Sequence, residues 1–190
     1  GNLLGAEQSG HMMNVGYDMY LKLLEEAVAE EKGEPKPVET ECSADIVVSA
    51  NIPEKYVPSA EQRMDLYRRI AKVRTEEEAD EMIAELIDRF GDPPSETLAL
   101  INIALLRGEA AGAGIKEIAQ KAGWLRFSLV DFDMRIVTAL YERPEYKGRV
   151  KVEAGTEPVI ALKLRSGKNT LDEAAKFVRD YGALRKQLGA

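Results

Sequence analysis

At 190 residues with 45% hydrophobic content, the chain is long enough for one ordinary domain plus an appendage and can fill a core. Its formal charge of -7 and pI near 5.0 argue against a general nucleic-acid binder, because phosphate affinity rests on a basic footprint. A single cysteine, Cys42, excludes an internal disulfide, offers no thiolate cluster for zinc and fits a reducing cytoplasm.

Tyr17, Tyr20, Leu21, Leu24, Ala27 and Val28 recur at helical spacing, which predicts an amphipathic helix over about 17–32, stopped by Gly33 and Pro35. From Glu31 to Cys42 the composition turns to Glu, Lys, Pro and Gly, the make-up of a protease-sensitive linker. The expected organisation is a leading segment at 1–31, a linker at 32–43 and a principal domain at 44–190. Acid crowds around the linker in Glu25, Glu26, Glu30, Glu31, Glu34, Glu39 and Glu41, while base crowds the next stretch in Arg63, Arg68, Arg69, Lys72 and Arg74. A charge run of either sign reads first as a solvated face.

The domain opens with a β-branched run, Asp45-Ile46-Val47-Val48-Ser49-Ala50, bounded by Pro53 and read as a strand. Ser59 with Gln62, and Thr75 with Glu78, each spell a capping box and mark two helix starts. The second of these helices places Ala79, Met82, Ile83, Leu86 and Phe90 on one face and ends at Gly91 before Pro93-Pro94. A third, over about 95–108, is apolar nearly all round and is the expected central helix. Beyond Gly114 the period changes to two: Leu125, Phe127 and Leu129 alternate with Trp124, Arg126 and Ser128, and a turn at Ala122-Gly123 joins this run to 115–121 as a hairpin. A short helix bearing Ile136, Val137 and Leu140 leads to a second pair through Val150, Val152, Ile160, Leu162 and Leu164, and a final helix is expected to be capped by Thr170 with Glu173. The class is α+β, with helices on a small, mostly antiparallel sheet, preceded by the separate helix and linker.

Chemistry is sparse. The sequence contains no Gly-x-x-x-x-Gly-Lys-Ser/Thr stretch to cradle a triphosphate and no Gly-rich strand-to-helix turn for a dinucleotide. The only histidine, His11, has no second imidazole or thiol nearby in sequence, so it is not read as a metal ligand. Asp131 and Asp133 could pair as catalytic carboxylates, but where a strand meets a helix they serve naturally as caps. No run approaches the ~20 apolar residues that cross a bilayer, and the first residues lack the order of a signal peptide, so a soluble, cytoplasmic chain is expected. Its opening at Gly1-Asn2-Leu3-Leu4-Gly5 reads as part of something longer.

Four stretches carry a resemblance. Residues 1–28, from Gly1-Asn2-Leu3-Leu4-Gly5-Ala6-Glu7-Gln8-Ser9-Gly10 to Val28, look like the segment after the last helicase motif of bacterial transcription-repair coupling factors, shared in looser form with RecG-type translocases. Ile52-Pro53-Glu54-Lys55-Tyr56-Val57-Pro58, Arg63-Met64-Asp65-Leu66-Tyr67-Arg68-Arg69-Ile70-Ala71 and Glu85-Leu86-Ile87-Asp88-Arg89-Phe90-Gly91 resemble that family's carboxy-terminal domain in order and spacing. The match covers residues 1 to about 120.

The resemblance implies a parent that is an ATP- and Mg-dependent, helicase-like DNA translocase, which displaces stalled RNA polymerase and recruits UvrA in nucleotide-excision repair. The lobes that hold nucleotide, polymerase and duplex DNA are not in this sequence, so no catalysis and no cofactor are expected of this chain. Glu7 and Gln8 match the translocation motif, where an amide that donates to phosphate and accepts from arginine suits a relay; residue chemistry alone reads Gln8 as a loop cap. The domain at 44–190 is implied to be an autoinhibitory lid, packing on the parent's amino-terminal UvrB-like module and competing with UvrA. For its grip, Glu81, Glu85 and Asp88 fall in a stripe with Glu77 opposite the apolar face of their helix; the plainer reading is a solvated face with Glu85 paired to Arg89. A rival is an autonomous DNA-binding module that uses the basic helix at 63–74.

Overall fold

The computed structural model describes residues 42–153 and 155–189; the predicted helix at 17–32, nearly all of the linker, and Glu7, Gln8 and His11 lie outside the described residues. Two compact units are present, one containing Val47–Leu105 and the other 42–46 with 106–189.

In the first unit, helices α1 (Ala60–Ala71) and α2 (Glu76–Phe90) start where the sequence marks them. The Ser59 hydroxyl accepts from the Gln62 N–H at 3.2 Å, and the Thr75–Glu78 box closes in both directions at 3.2 and 3.1 Å. Each satisfies amide donors that the first helical turn leaves without partners. On α2, Ala79, Met82 and Leu86 are buried, whereas Ile83 and Phe90 of the predicted core set are only partly so. Phe90 instead lies 5.8 Å from the ring of Tyr56, whose hydroxyl donates to the Gly91 carbonyl at 2.7 Å and fastens the end of α2. Helix α3 (Ser95–Gly112) is apolar all round as expected, with Leu100, Ile101, Ile103 and Ala104 buried. It runs past Gly108, because Glu109-Ala110-Ala111 continues in good helix formers and the chain reverses only at Gly114, with φ +77°.

The predicted strand at 45–50 is displaced. Strand β1 is Ser43–Asp45, and beyond it the chain is extended but unladdered, with Val47 74% exposed. An extended segment becomes a strand only if a neighbour takes its hydrogen bonds, and directly after the predicted run other groups take the backbone's. The Asn51 N–H donates to the Glu96 carbonyl at 3.2 Å, the Ile52 N–H to the Tyr67 hydroxyl at 2.8 Å, and the Thr97 hydroxyl to the Asn51 carbonyl at 3.0 Å.

The second unit is a five-stranded sheet of order β1-β2-β3-β5-β4, with β2 (Ile115–Lys121), β3 (Trp124–Leu129), β4 (Val150–Glu153) and β5 (Val159–Lys163). Only the β1–β2 pairing is parallel. The β2–β3 hairpin turns on Ala122 (φ +48°) and Gly123 (φ +84°), positive at both central positions as a twisted two-residue hairpin requires. Leu125, Phe127 and Leu129 point to one face of the sheet, where Phe127 stacks on Phe177 at 4.2 Å. Phe177 belongs to α5 (Thr170–Gln187), and α4 (Met134–Glu142) carries the predicted Ile136, Val137 and Leu140 inward. Cys42 is buried, and its carbonyl accepts from Arg107 at 3.2 Å.

The cap of α5 sits one residue before the predicted one. Asn169 accepts from the Asp172 N–H at 3.1 Å, while Glu173, assigned to a capping box from sequence, turns inward and is 5% exposed. There Arg165 and Arg149 reach it at 2.8 and 3.2 Å. Part-buried charge-assisted bonds from two arginines outweigh one solvent-exposed cap, and Asn169 supplies the cap instead. The architecture is the expected α+β class.

Candidate partner-binding face

Two helices of the first unit frame the predicted stripe. Helical spacing on α2 sends Glu77, Glu81 and Asp88 to solvent, opposite Ala79, Met82 and Leu86, and all three acids are exposed. Glu85 is different. Arg69 of α1 grips its carboxylate with both terminal nitrogens at 2.6 and 2.5 Å, and Arg89, one turn along α2, adds a third bond at 2.8 Å. Hydrogen bonds from Arg69, and then from Arg89, hold the Glu85 carboxyl at about 2, far below its usual 4.5. The Arg89 partner follows from four-residue spacing, whereas Arg69 is 16 positions away and left no signal in the sequence. Beside this clamp runs a shallow groove of about 290 Å³, bordered by Lys72, Glu78, Glu81 and Met82.

The basic run on α1 is largely engaged by its own surroundings. Arg63 is 6% exposed and donates to the Val57 and Pro58 carbonyls at 2.7 and 2.9 Å. Arg74 closes the end of α1 through the Ala71 and Val73 carbonyls, and Arg69 is held by Glu85. Lys72 remains exposed, and Arg68 is half-buried. With Lys72 and Arg74 beyond the end of α1 and three of the five cations committed to structure, the run is a poor phosphate comb.

Asp131 and Asp133 are not brought together on a substrate. Asp133 caps α4, accepting from the Arg135 N–H at 3.0 Å, and Asp131 pairs with Arg185 at 2.9 Å. Among the described residues, no group of His, Cys, Asp or Glu is placed to hold a metal ion, and no helix is long and apolar enough to cross a membrane.

Comparison with known proteins places this face in context. The family model described as TRCF domain matches residues 46–135, a span that includes α1, the acidic stripe and the Glu85 clamp. A transcription-repair-coupling factor of Myxococcus xanthus is 34% identical over 192 residues, covering 95% of this chain and 15% of its own length. One from Bacillus subtilis is 38% identical over 130 residues, covering 68% of this chain and 11% of its own. The chain belongs to the transcription-repair coupling factor family. A solved structure, the crystal structure of the C-terminal domain of a transcription-repair coupling factor, superposes with a TM-score of 0.67 at 15% identity. It covers 80% of this chain and 99% of its own, so the fold is that of a coupling-factor carboxy-terminal domain. The chain thus spans only a small part, 15% and 11%, of the two coupling factors it matches.

Proposed function

We propose that this chain is the regulatory carboxy-terminal region of a transcription-repair coupling factor, a lid that packs on the parent's amino-terminal module and masks the surface that binds UvrA. The TRCF domain match at 46–135 carries the reading, together with a fold shared with a solved domain from that position in a coupling factor. Its physics is a two-state equilibrium in which the closed state hides the repair contact, and polymerase or DNA engagement elsewhere in the parent favours the open one. If under about 1% is open at rest, the contact contributes at least about 2.7 kcal/mol, which a modest intramolecular interface supplies. The exposed acids Glu77, Glu81 and Asp88 are the proposed grip, with Glu85 fixing the helix that presents them. The leading segment, with Glu7 and Gln8, acts in the parent as the end of the translocation motif; ATP and Mg belong to lobes outside this sequence. The direct test is a pull-down of the parent's isolated amino-terminal module by this chain. Capture that UvrA competes away supports the lid, and no capture at low salt refutes it.

A further inference from the structure

The sheet of the second unit has a face opposite the Phe127–Phe177 contact on which the described residues gather several cations. Strand register defines it: Lys121 of β2 and Lys163 of β5 lie directly opposite Trp124 of β3, so all three project from the same side. One rung along, Arg126 faces Ala161, which in turn faces Lys151 of β4, placing both cations on that side as well. Adjacent strands are about 4.8 Å apart, so the Trp124 ring has a lysine one strand away on each flank. On this side lies a shallow concavity of about 370 Å³ lined by Lys121, Trp124, Arg126, Lys151 and Glu153.

The chemistry of the patch is specific. Arg126 is neutralised by an ion pair with Glu153. Lys121, Lys151 and Lys163 are exposed, and none of the three forms an ion pair among the described residues. Trp124 is only partly exposed, and the exposed Lys151 ammonium stands over its ring, 4.9 Å from the centroid, a surface contact that an incoming base would displace, releasing Lys151 to a phosphate. A partly exposed indole flanked by three unneutralised lysines departs from a chain whose total charge is -7.

We propose that this face is a stacking platform for a short single-stranded nucleic acid, one base lying on Trp124 and the flanking phosphates meeting Lys121, Lys151 and Lys163. A single strand can unstack a base onto an aromatic ring, whereas a duplex keeps its bases inside and cannot use the indole. An acidic polypeptide would satisfy the lysines but leaves the central ring without a role, which is why the nucleic acid is favoured. The site is independent of the lid grip on α2, so either can fail without the other.

Trp124 is the sole tryptophan of the chain, so its fluorescence reports this site alone. Titrating the full chain with an oligothymidylate of about 12 nucleotides should quench that emission. The affinity should fall with salt at a log–log slope of about -2, the value for three lysines on a single strand. The double variant Lys121→Glu/Lys151→Glu changes only exposed side chains and should weaken binding at least tenfold. Trp124→Ala, followed by anisotropy of a labelled oligonucleotide, should weaken it about tenfold, the effect of losing one stacked base. Absence of quenching by the oligothymidylate at about 50 mM salt, where phosphate contacts are strong, overturns the proposal. Quenching by polyglutamate but not by the oligothymidylate overturns it too and assigns the face to an acidic polypeptide, and equal binding of a duplex rules out the stacking role.

Discussion

Ala122 takes φ +48° at the tip of the β2–β3 hairpin, a left-handed conformation in which a Cβ crowds the backbone at about 1 kcal/mol or more. Its neighbour Gly123 meets the same demand without strain. Asn tolerates this region, and Asn-Gly is the favoured pair for this turn, so Ala122→Asn should stabilise the chain by about 0.5–1 kcal/mol, read as a higher urea midpoint at unchanged slope. Glu85 makes the second prediction at this scale. Its folded value of about 2 lies below its ordinary 4.5, so between those values the unfolded chain binds more protons. The stabilisation from the clamp is therefore complete above about pH 5 and is lost as pH falls through 4.5 toward about 2. The two arginines are about a third or more exposed, at 40% and 36%, and solvent screening reduces the gain to about 1 kcal/mol. Glu85→Gln should flatten the decline in melting temperature between pH 5 and pH 3; an unchanged profile would show that other carboxylates set it.

The elements were legible where local chemistry decided them. Thr75 with Glu78 marked the start of α2, and the alternation from Trp124 to Leu129 gave β3 and its hairpin, because caps and period-two patterns act within a few residues. What sequence could not show was set at a distance. The run after Asp45 looks like a strand in composition, but where it ends, at Asn51 and Ile52, the backbone's hydrogen-bond partners are Glu96, Tyr67 and Thr97, which only the fold brings near. Of the candidate site, Glu81 and Asp88 could be placed on the solvent side of α2 by periodicity alone, whereas the grip of Arg69 on Glu85 and the grouping of Lys121, Lys151 and Lys163 about Trp124 depend on helix packing and strand register. Glu173 shows what such a misreading costs. Burial raises its carboxyl, but Arg165 and Arg149 more than offset this and bring it below the ordinary range. Through these bonds Glu173 ties both the β5–α5 connection, at Arg165, and the start of β4, at Arg149, to α5. Glu173→Ala removes the counter-charge of Arg149, whose side chain is 13% exposed and keeps only the Glu145 and Lys163 carbonyls as partners, and should destabilise the chain by about 3 kcal/mol. A mere cap at this position would cost about 1 kcal/mol, so thermal or urea melts separate the two roles.

If the chain acts as the proposed lid in a whole coupling factor, charge on one helix face should set the balance between hidden and exposed repair contact. Glu81 and Asp88 are exposed, and neither is ion-paired among the described residues, so both are open to a basic partner. Glu85 is unsuitable for a test, since replacing it with lysine would set three cations together with Arg69 and Arg89 and disturb α2 itself. Glu81→Lys/Asp88→Lys in the full-length parent leaves that clamp intact and turns attraction into repulsion, which across an interface costs several kcal/mol. If the proposed closed state is under about 1% open, it rests on roughly 2.7 kcal/mol, and that reversal is large enough to open most molecules. UvrA binding without polymerase should then approach that of a parent lacking residues 44–190, most clearly at low ionic strength where surface charges act furthest. The melting temperature of the isolated chain should stay nearly unchanged, because exposed charges away from a network contribute little to folding. UvrA affinity that matches the unmodified parent at low salt would remove the α2 stripe as the grip, while a raised affinity with an unchanged melt would locate the regulatory contact on this helix.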